Sequence, residues 1–213
     1  MAAKKKSWYA VRAGRKPGLY RTWEECRKQV IGFGGAAYKG FYTEEEARAF
    51  LAPAEASPAA HADGEGMTVY VDGSFMPFLP DRYGYGVVFL HEGKVETASH
   101  FVIDRDSARM RNVAGEVKGA MYAMETCRKR GITHMDLYYD YAGIEKWCTG
   151  EWKANLPGTK ALKTYYDSVK GELSVSFHKV KSHTGVRYNE MADRLAKGAL
   201  LRAEKAGEKA ENE

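Results

Sequence analysis

Several features of common protein classes are missing from this sequence. Its three cysteines, Cys26, Cys127 and Cys148, are widely spaced and form no CxxC pair, which argues against a disulfide framework or a zinc site. The six histidines show no ligand spacing such as HExxH. No apolar run reaches about 18 residues, so we expect no membrane span. The segment "MAAKKKSWYA" lacks the apolar region of a secretory signal, and with the reduced thiols it predicts a cytoplasmic protein.

The composition fits a folded protein that binds a polyanion. The chain has 213 residues, 44% of them hydrophobic, which suffices for one sizeable core or for a domain plus a smaller one. Its formal net charge is +5 and its pI is about 8.9. This basic balance favours nucleic acid as a partner.

A change of composition divides the chain. The stretch "PAEASPAAHADGEG" (53–66) is rich in Ala, Pro and Gly and has no large apolar residue, so it predicts a flexible linker. We therefore expect a small domain over 1–52, a larger one over 67–200 and a charged tail over 201–213.

Local patterns predict an α/β fold in both domains. In the small domain we expect strands at 7–14 and 36–42 and a turn at "GRKPGLY". We also expect a helix that begins with the capping box of Thr22 and Glu25, and a second capped helix at "TEEEARAFL". For the larger domain, the predicted strands and helices indicate a mixed sheet covered on both faces. The strands are 67–72, 84–90, 94–102, 134–140 and 174–180, and the helices are 114–130, 141–152, 160–170 and 189–206.

Two predicted strands end on a carboxylate. Asp72 closes "MTVYVD" and Asp140 closes "MDLYYD", and the carboxyl ends of parallel strands meet at one edge of a sheet. Each acid alone also fits an ordinary turn, since Asp-Gly-Ser is common turn chemistry. The coincidence of two such strands favours a shared site.

Two further acids lie near the starts of predicted helices. Glu116 borders the apolar stripe of "NVAGEVKGAMYAM", and Asp193 borders that of "NEMADRLAKGAL". Each alone fits an acid favoured by the helix dipole. Four clustered acids would repel one another unless divalent cations lay between them, and such oxygen-rich sites suit Mg²⁺ or Mn²⁺. His183, in the loop of "KVKSHTG", could move a proton beside such a site, although a lone histidine is usually structural or exposed.

The ordered set of motifs resembles type 1 ribonuclease H over 67–200. It consists of "VYVDGSF", "NVAGEVKGA", "LYYDYAGIEKW" and "VKSHTGVRYNEMADRLAK". The resemblance implies a ribonuclease H-like mixed five-stranded sheet with flanking helices. It also implies an endoribonuclease that cuts the RNA strand of RNA–DNA hybrids with two Mg²⁺ ions, leaving 5′-phosphate and 3′-hydroxyl ends. Asp72, Glu116, Asp140 and Asp193 would be the metal ligands, Asp72 would bridge the ions, and His183 would assist proton transfer or product release.

The first domain resembles the hybrid-binding, viroplasmin-like domain that precedes some ribonucleases H. "WYAVRAGRKPGLYRTWEECRKQV" and "AAYKGFYTEEEARAFL" carry this similarity. It implies a small α/β domain that grips the hybrid, although Trp23 also fits a packed helix face and Tyr9 a sheet residue. The expected nucleic-acid-binding residues are Tyr9, Arg12, Trp23, Tyr38 and Lys39 here, with Ser74 and Asn112 in the larger domain. We expect a monomer with no small-molecule cofactor.

Some positions depart from the family pattern. Tyr141 follows Asp140 where Ser is frequent, Gly115 precedes Glu116 where Ala is usual, and Val113 replaces a common Gln or Asn. The basic protrusion of the family is shortened here. Its remaining lysines are Lys153, Lys160, Lys163 and Lys170.

Three other functions remain open from the sequence. One is a non-catalytic binder of hybrids or double-stranded RNA, and the presence of all four acids and the histidine argues against it. A second is a related nuclease of the same superfold, such as an integrase or a junction resolvase, but these would lack a hybrid-binding domain. The third is a structural protein of the viral inclusion type, which the large second domain disfavours.

Overall fold

The computed structural model describes residues 6–33, 36–51, 66–180 and 186–210, and not the side chains of 49 and 205–210. The chain divides into two compact units, the first built on residues 6–51 and the second on 66–180 and 187–210. The predicted linker lies outside the described residues up to position 65. None of the helices within the described ranges is long and apolar enough to cross a membrane.

The first unit is a three-stranded antiparallel sheet with a helix on each face. Its strands lie in the order β2-β1-β3, and its helices are α1 and α2. Their bounds are β1 Trp8–Ala13, β2 Gly18–Tyr20, α1 Trp23–Val30, β3 Ala37–Phe41 and α2 Glu44–Leu51. Side chains alternate along β1, so Ala10 packs with Phe41 and Phe50, while Val11 packs with Cys26 and Val30 of α1.

The predicted capping box of α1 is present, and the predicted cap of α2 is a second box. Thr22 Oγ1 accepts a hydrogen bond from the Glu25 N–H at 3.2 Å, and Glu25 Oε2 accepts one from the Thr22 N–H at 3.2 Å. Thr43 and Glu46 form the same reciprocal pair at the start of α2. The predicted turn at "GRKPGLY" is wrong in its last residues, because Gly18–Tyr20 pair with β1 as a short strand.

The second unit is a mixed five-stranded sheet in the order β6-β5-β4-β7-β8. β4 pairs antiparallel with β5 and parallel with β7, and β8 is parallel to β7. The strands are β4 Gly66–Ser74, β5 Arg82–His91, β6 Lys94–Ile103, β7 His134–Tyr139 and β8 Ser174–Lys179. The helices are α3 Arg105–Ala108, α4 Asn112–Lys129, α5 Gly143–Thr149, α6 Pro157–Val169 and α7 Arg187–Ala210.

Helices cover both faces of this sheet, as predicted. The residues of β4, β5 and β7 that face one side fill the main core together with α4, α5 and α6, and include Val69, Val87 and Leu137. On the other side α7 packs against β4, β5 and β6 through buried Ala192, Ala196 and other small residues. The predicted fold class is therefore confirmed.

The element bounds differ from the prediction in several places. β4 begins inside the predicted linker at Gly66 and continues past Asp72 to Ser74, because its last residues still pair with β5. β7 ends at Tyr139, so Asp140 follows the strand instead of closing it. The short helix α3 was not predicted, and Asp104 begins it by accepting the Asp106 and Ser107 N–H groups.

The long last helix continues into the predicted charged tail. α7 runs to Ala210, whereas the tail was predicted from residue 201. Ala203 is 1% exposed, and Arg202 Nη2 donates to the carbonyl of Ser99 on β6 at 3.0 Å. Packing against the edge strand therefore orders this first part of the predicted tail.

Candidate active site and nucleic-acid interface

The pairing of two parallel strands brings Asp72 and Asp140 side by side. The β4–β7 register runs from Gly66 opposite His134 to Tyr70 opposite Tyr138, whose rings stack at 4.5 Å. Asp72 lies two residues after Tyr70, still within β4, and Asp140 lies two residues after Tyr138, just beyond the end of β7. The two acids therefore meet at the carboxyl ends of neighbouring parallel strands, where sites of α/β sheets collect.

Helix α4 delivers the third carboxylate by lying directly on the strands. A Cβ at Gly115 would stand 2.2 Å from the carbonyl oxygen of Gly84 and 2.7 Å from Cα of Gly73. This close approach explains why glycine replaces the usual alanine before Glu116. Glu116 itself is fully buried, and its Oε2 accepts a hydrogen bond of 3.1 Å from the Tyr141 N–H.

The three acids form a compact cluster. Asp72, Glu116 and Asp140 each place a carboxylate oxygen within 4.8 Å of the others. Burial, and then the charges of Asp140 and Asp193, raise the pKa of Asp72 to about 7. Burial, and then Asp140 and Asp72, raise the pKa of Glu116 to about 9. The cluster as it stands thus disfavours the negative charge that its residues carry in water.

The cluster fits a divalent cation. Glu116 Oε1 is buried and has no hydrogen-bond partner, and an orphaned buried carboxylate oxygen needs an explanation. A hard cation held by oxygen ligands would satisfy that atom and offset the repulsion among the acids. The donor set contains only carboxylate oxygens, which suits Mg²⁺ or Mn²⁺ better than zinc.

Asp193 lies close to the cluster but is held by another partner. Its Oδ2 accepts a hydrogen bond of 2.7 Å from Lys197 Nζ, one turn further along α7. The negative charge of Asp193 still contributes to the raised pKa of Asp72. The structure therefore brings three of the four predicted acids together and places the fourth beside them in an ion pair.

The other predicted residues of the larger domain differ in burial and in partners. His183 lies outside the described residues. Ser74 is buried at the end of β4, and Asn112 is exposed at the start of α4. Among the predicted basic residues, Lys163 and Lys170 both pair with Asp167, so part of their charge is already neutralised.

In the first unit, three predicted aromatic residues form one cluster. The Trp23 ring lies 5.8 Å from the Tyr9 ring and 5.7 Å from the Tyr38 ring. Trp23 is 36% exposed and Tyr38 is 42% exposed, so the cluster is open to a ligand. Bases and sugars of nucleic acid stack well on such rings.

The predicted Arg12 and Lys39 lie on the other face of the same sheet. Arg12 donates to the carbonyl of Phe50 and sits over the Phe50 ring, and Lys39 lies over the Phe41 ring. Alternation along β1 and β3 accounts for this separation, since Lys39 directly follows Tyr38. The structure thus groups the aromatic residues and keeps these two cations apart from them.

The prediction missed an aromatic cluster beside the acids. The rings of Tyr141, Trp147 and Trp152 contact one another, with centroid distances of 5.7 to 6.4 Å. Two tryptophans shortly after Asp140 were the available sequence signal. The hydrogen bond from Tyr141 to Glu116 could not be predicted from the residue types, because its donor is a backbone N–H.

Comparison with known proteins identifies the family. A family model described as RNase H matches residues 64–200, and one described as Ribonuclease H1 N-terminal domain matches residues 7–51. The chain belongs to the ribonuclease H family. The predicted enzyme class, a ribonuclease H and therefore a nuclease and hydrolase, is confirmed.

Individual relatives agree with this family. Ribonuclease H1 of Homo sapiens is 28% identical in an alignment that covers 92% of this chain and 90% of the human protein. Ribonuclease H of Saccharomyces cerevisiae is 53% identical over 49 residues, which cover 23% of this chain and only 14% of the yeast protein. The crystal structure of RNase H1 from the archaeon Halobacterium salinarum has a TM-score of 0.54 at 23% identity and covers 64% of this chain and 98% of the archaeal one. That likeness shows the shared fold.

Proposed function

We propose that this ribonuclease H is an endoribonuclease that hydrolyses the RNA strand of RNA–DNA hybrids with two divalent cations. The products would carry 5′-phosphate and 3′-hydroxyl ends. The observation that carries the proposal is the cluster of Asp72, Glu116 and Asp140, in which the buried Glu116 Oε1 has no hydrogen-bond partner. The family of the catalytic unit supports the reaction class.

The acids of the cluster would hold the cations. Asp72 and Asp140 offer oxygens from neighbouring strands, and Glu116 offers the buried Oε1. Asp193 would join them by exchanging Lys197 for a cation, because its carboxylate already lies close enough to affect Asp72. Bound Mg²⁺, with Mn²⁺ as a substitute, would supply activation of the attacking water and charge stabilisation at the leaving oxygen.

His183 would transfer the proton that the leaving oxygen needs. His183 precedes α7, the helix that carries Asp193, by four positions in the sequence. An imidazole changes its charge near neutral pH and suits proton transfer to a leaving 3′-oxygen.

Substrate would be held by both units. The cluster of Tyr9, Trp23 and Tyr38 would stack on the hybrid, and Ser74 and Asn112 would contact it beside the acids. The net charge of +5 attracts the phosphate backbone to an otherwise acidic centre. We propose a monomer that acts in the cytoplasm.

The linker would make the two units act as one binder. With domain boundaries at 1–52 and 67–200, residues 53–66 would tether the hybrid-binding unit to the catalytic unit. Tethering raises the effective concentration of the second unit once the first is bound, so that two weak contacts hold the hybrid firmly.

Cleavage of end-labelled substrates tests the proposal. The wild type is incubated with an RNA–DNA hybrid, duplex RNA and duplex DNA, in Mg²⁺, Mn²⁺ or EDTA. We expect the RNA strand of the hybrid alone to be cut, with chelation and Asp72→Asn each abolishing cutting while gel-shift binding persists. Phosphatase and ligase treatment of the products reports the end chemistry.

A carboxylate variant outside the cluster serves as the control. Asp167→Asn removes an acid of α6 that pairs with lysines, and it should cut at the wild-type rate. If the wild type binds hybrids but cuts them in neither metal, the protein is a binding module and the catalytic proposal fails.

A further inference from the structure

Tyr141 contacts both the acids and an aromatic cluster. Its backbone N–H donates to Glu116 Oε2 at 3.1 Å, and its residue directly follows Asp140. Its side chain belongs to the cluster with Trp147 and Trp152. One residue therefore touches a carboxylate through its backbone and a packed surface through its ring.

The ring is held tightly against the start of α5. A Cβ at Gly143 would stand 2.4 Å from Tyr141 Cε1 and 2.8 Å from Trp147 Cη2. The two rings thus fill the space that any side chain at position 143 would need. Their centroids are 5.7 Å apart and their planes are tilted by 44°. Tyr141, Gly143 and Trp147 therefore pack closely beside the peptide that joins Asp140 and Tyr141.

We propose that Tyr141 is a positioning residue for the carboxylate cluster. Its packed ring fixes the backbone N–H that orients Glu116, so that the three acids are arranged for a cation before the cation arrives. A small residue at this position would leave a gap over Gly143, and the peptide could shift. Removing a group that hydrogen-bonds to a metal ligand typically weakens metal binding about 10- to 100-fold.

This inference rests on the proposed function only in taking the cluster as a cation site. It concerns the binding of metal without substrate, so hybrid cleavage is not its readout. The test measures Mg²⁺ and Mn²⁺ binding to the full chain by calorimetry, together with the rise in melting temperature that each metal produces.

Two substitutions of Tyr141 separate the ring from the hydroxyl. Tyr141→Phe keeps the packing and should bind metal within about 2-fold of the wild type, whereas Tyr141→Ser should bind about 10-fold more weakly. Tyr122→Ser is the matched control, because it removes a half-buried ring that packs on Tyr85 and His100 instead. It should lower the melting temperature without changing metal affinity.

Gly143→Ala provides a second route if Tyr141→Ser folds poorly. The added Cβ must displace the Tyr141 ring, so we expect weaker metal binding at retained secondary structure. In the double variant Tyr141→Ser/Gly143→Ala the alanine should have a smaller effect than alone, because the ring it displaces is gone.

Equal metal affinity in the wild type, Tyr141→Ser and Gly143→Ala would overturn the inference, as would an equal loss in Tyr122→Ser. Failure of the wild type to bind either metal would overturn it as well. A wild type that binds metal, is weakened by Tyr141→Ser and never cuts a hybrid would leave the inference standing and refute the proposed function.

Discussion

Lys197 follows Asp193 by one turn of α7, and its Nζ lies 2.7 Å from Asp193 Oδ2. This pair keeps the fourth acid of the site beside a positive charge, and the same lysine lowers the pKa of Asp72 against the stronger effects that raise it. A cation that enters the site must compete with this ammonium group.

Removing that competitor should strengthen metal binding. We expect Lys197→Gln to bind Mg²⁺ about 3-fold more tightly in calorimetry without hybrid, because one positive charge next to the acids is lost. Lys197→Arg keeps the charge and should match the wild type. Weaker binding by Lys197→Gln would show that the lysine organises the site instead of competing for it.

The raised pKa values predict the pH dependence of the metal-free protein. The folded chain keeps protons on Asp72 and Glu116, with pKa values of about 7 and about 9, that the unfolded chain releases near pH 4. Stability should therefore fall as the pH rises from about 4 to about 9 in EDTA.

Asp72→Asn should weaken this decline. Near pH 8 in EDTA we expect it to melt at least about 2 °C above the wild type, and near pH 4 the difference should vanish. Asp167→Asn is the control and should not weaken the decline, because the hydrogen bonds of Lys170 and Lys163 lower the pKa of Asp167 where that of Asp72 is raised. A wild type whose melting temperature is constant over this range would contradict the expectation.

Gly115 packs so closely on β5 and β4 that adding one methyl group at this position should destabilise the fold. Gly115→Ala places a Cβ against the backbone of β5 and β4, so we expect a loss of about 1–3 kcal/mol in unfolding free energy and weaker metal binding. Gly119→Ala on the same helix meets Val71 at an ordinary 3.5 Å, and its better helix propensity should stabilise by about 0.5–1 kcal/mol. Denaturant unfolding distinguishes the two outcomes.

The exposed aromatic cluster predicts a separation of binding from chemistry. Trp23→Ala should weaken hybrid binding about 5- to 150-fold in gel shifts, because base stacking on a ring contributes about 1–3 kcal/mol. Cutting at saturating hybrid should continue at the wild-type rate. Phe33→Ala removes another exposed ring of the same unit, outside the cluster, and should change neither quantity.

Much of the architecture was predictable because local and global signals agree. The Thr22–Glu25 and Thr43–Glu46 boxes identify their helices without tertiary information. The alternation in β4 and β7 predicts two core strands, and their parallel pairing then brings Asp72 and Asp140 together. Gly18–Tyr20 was misjudged because Pro17 and Gly18 are turn residues, whereas pairing with β1 decides their conformation.

Other features depend on contacts that residue types do not encode. The Tyr141 N–H that binds Glu116 is a backbone group, and the ion pair of Asp193 with Lys197 depends on the exact placement of α7. The separation of Arg12 and Lys39 from the aromatic cluster was available from strand alternation. Tyr38 and Lys39 are neighbours in β3, so their side chains point to opposite faces.

The parallel pairing of β4 with β7 has a consequence for the evolution of this chain. Val69 and Leu137, which fill the core, are paired in register, and Asp72 and Asp140 each follow three positions further along. Helices cover both faces of the sheet, so a one-residue deletion in either strand would exchange the side chains that face the two helical layers and would separate the acids in the same event. A deletion that disturbs the core therefore also disturbs the acids, whereas a substitution such as Asp72→Asn changes the acids alone.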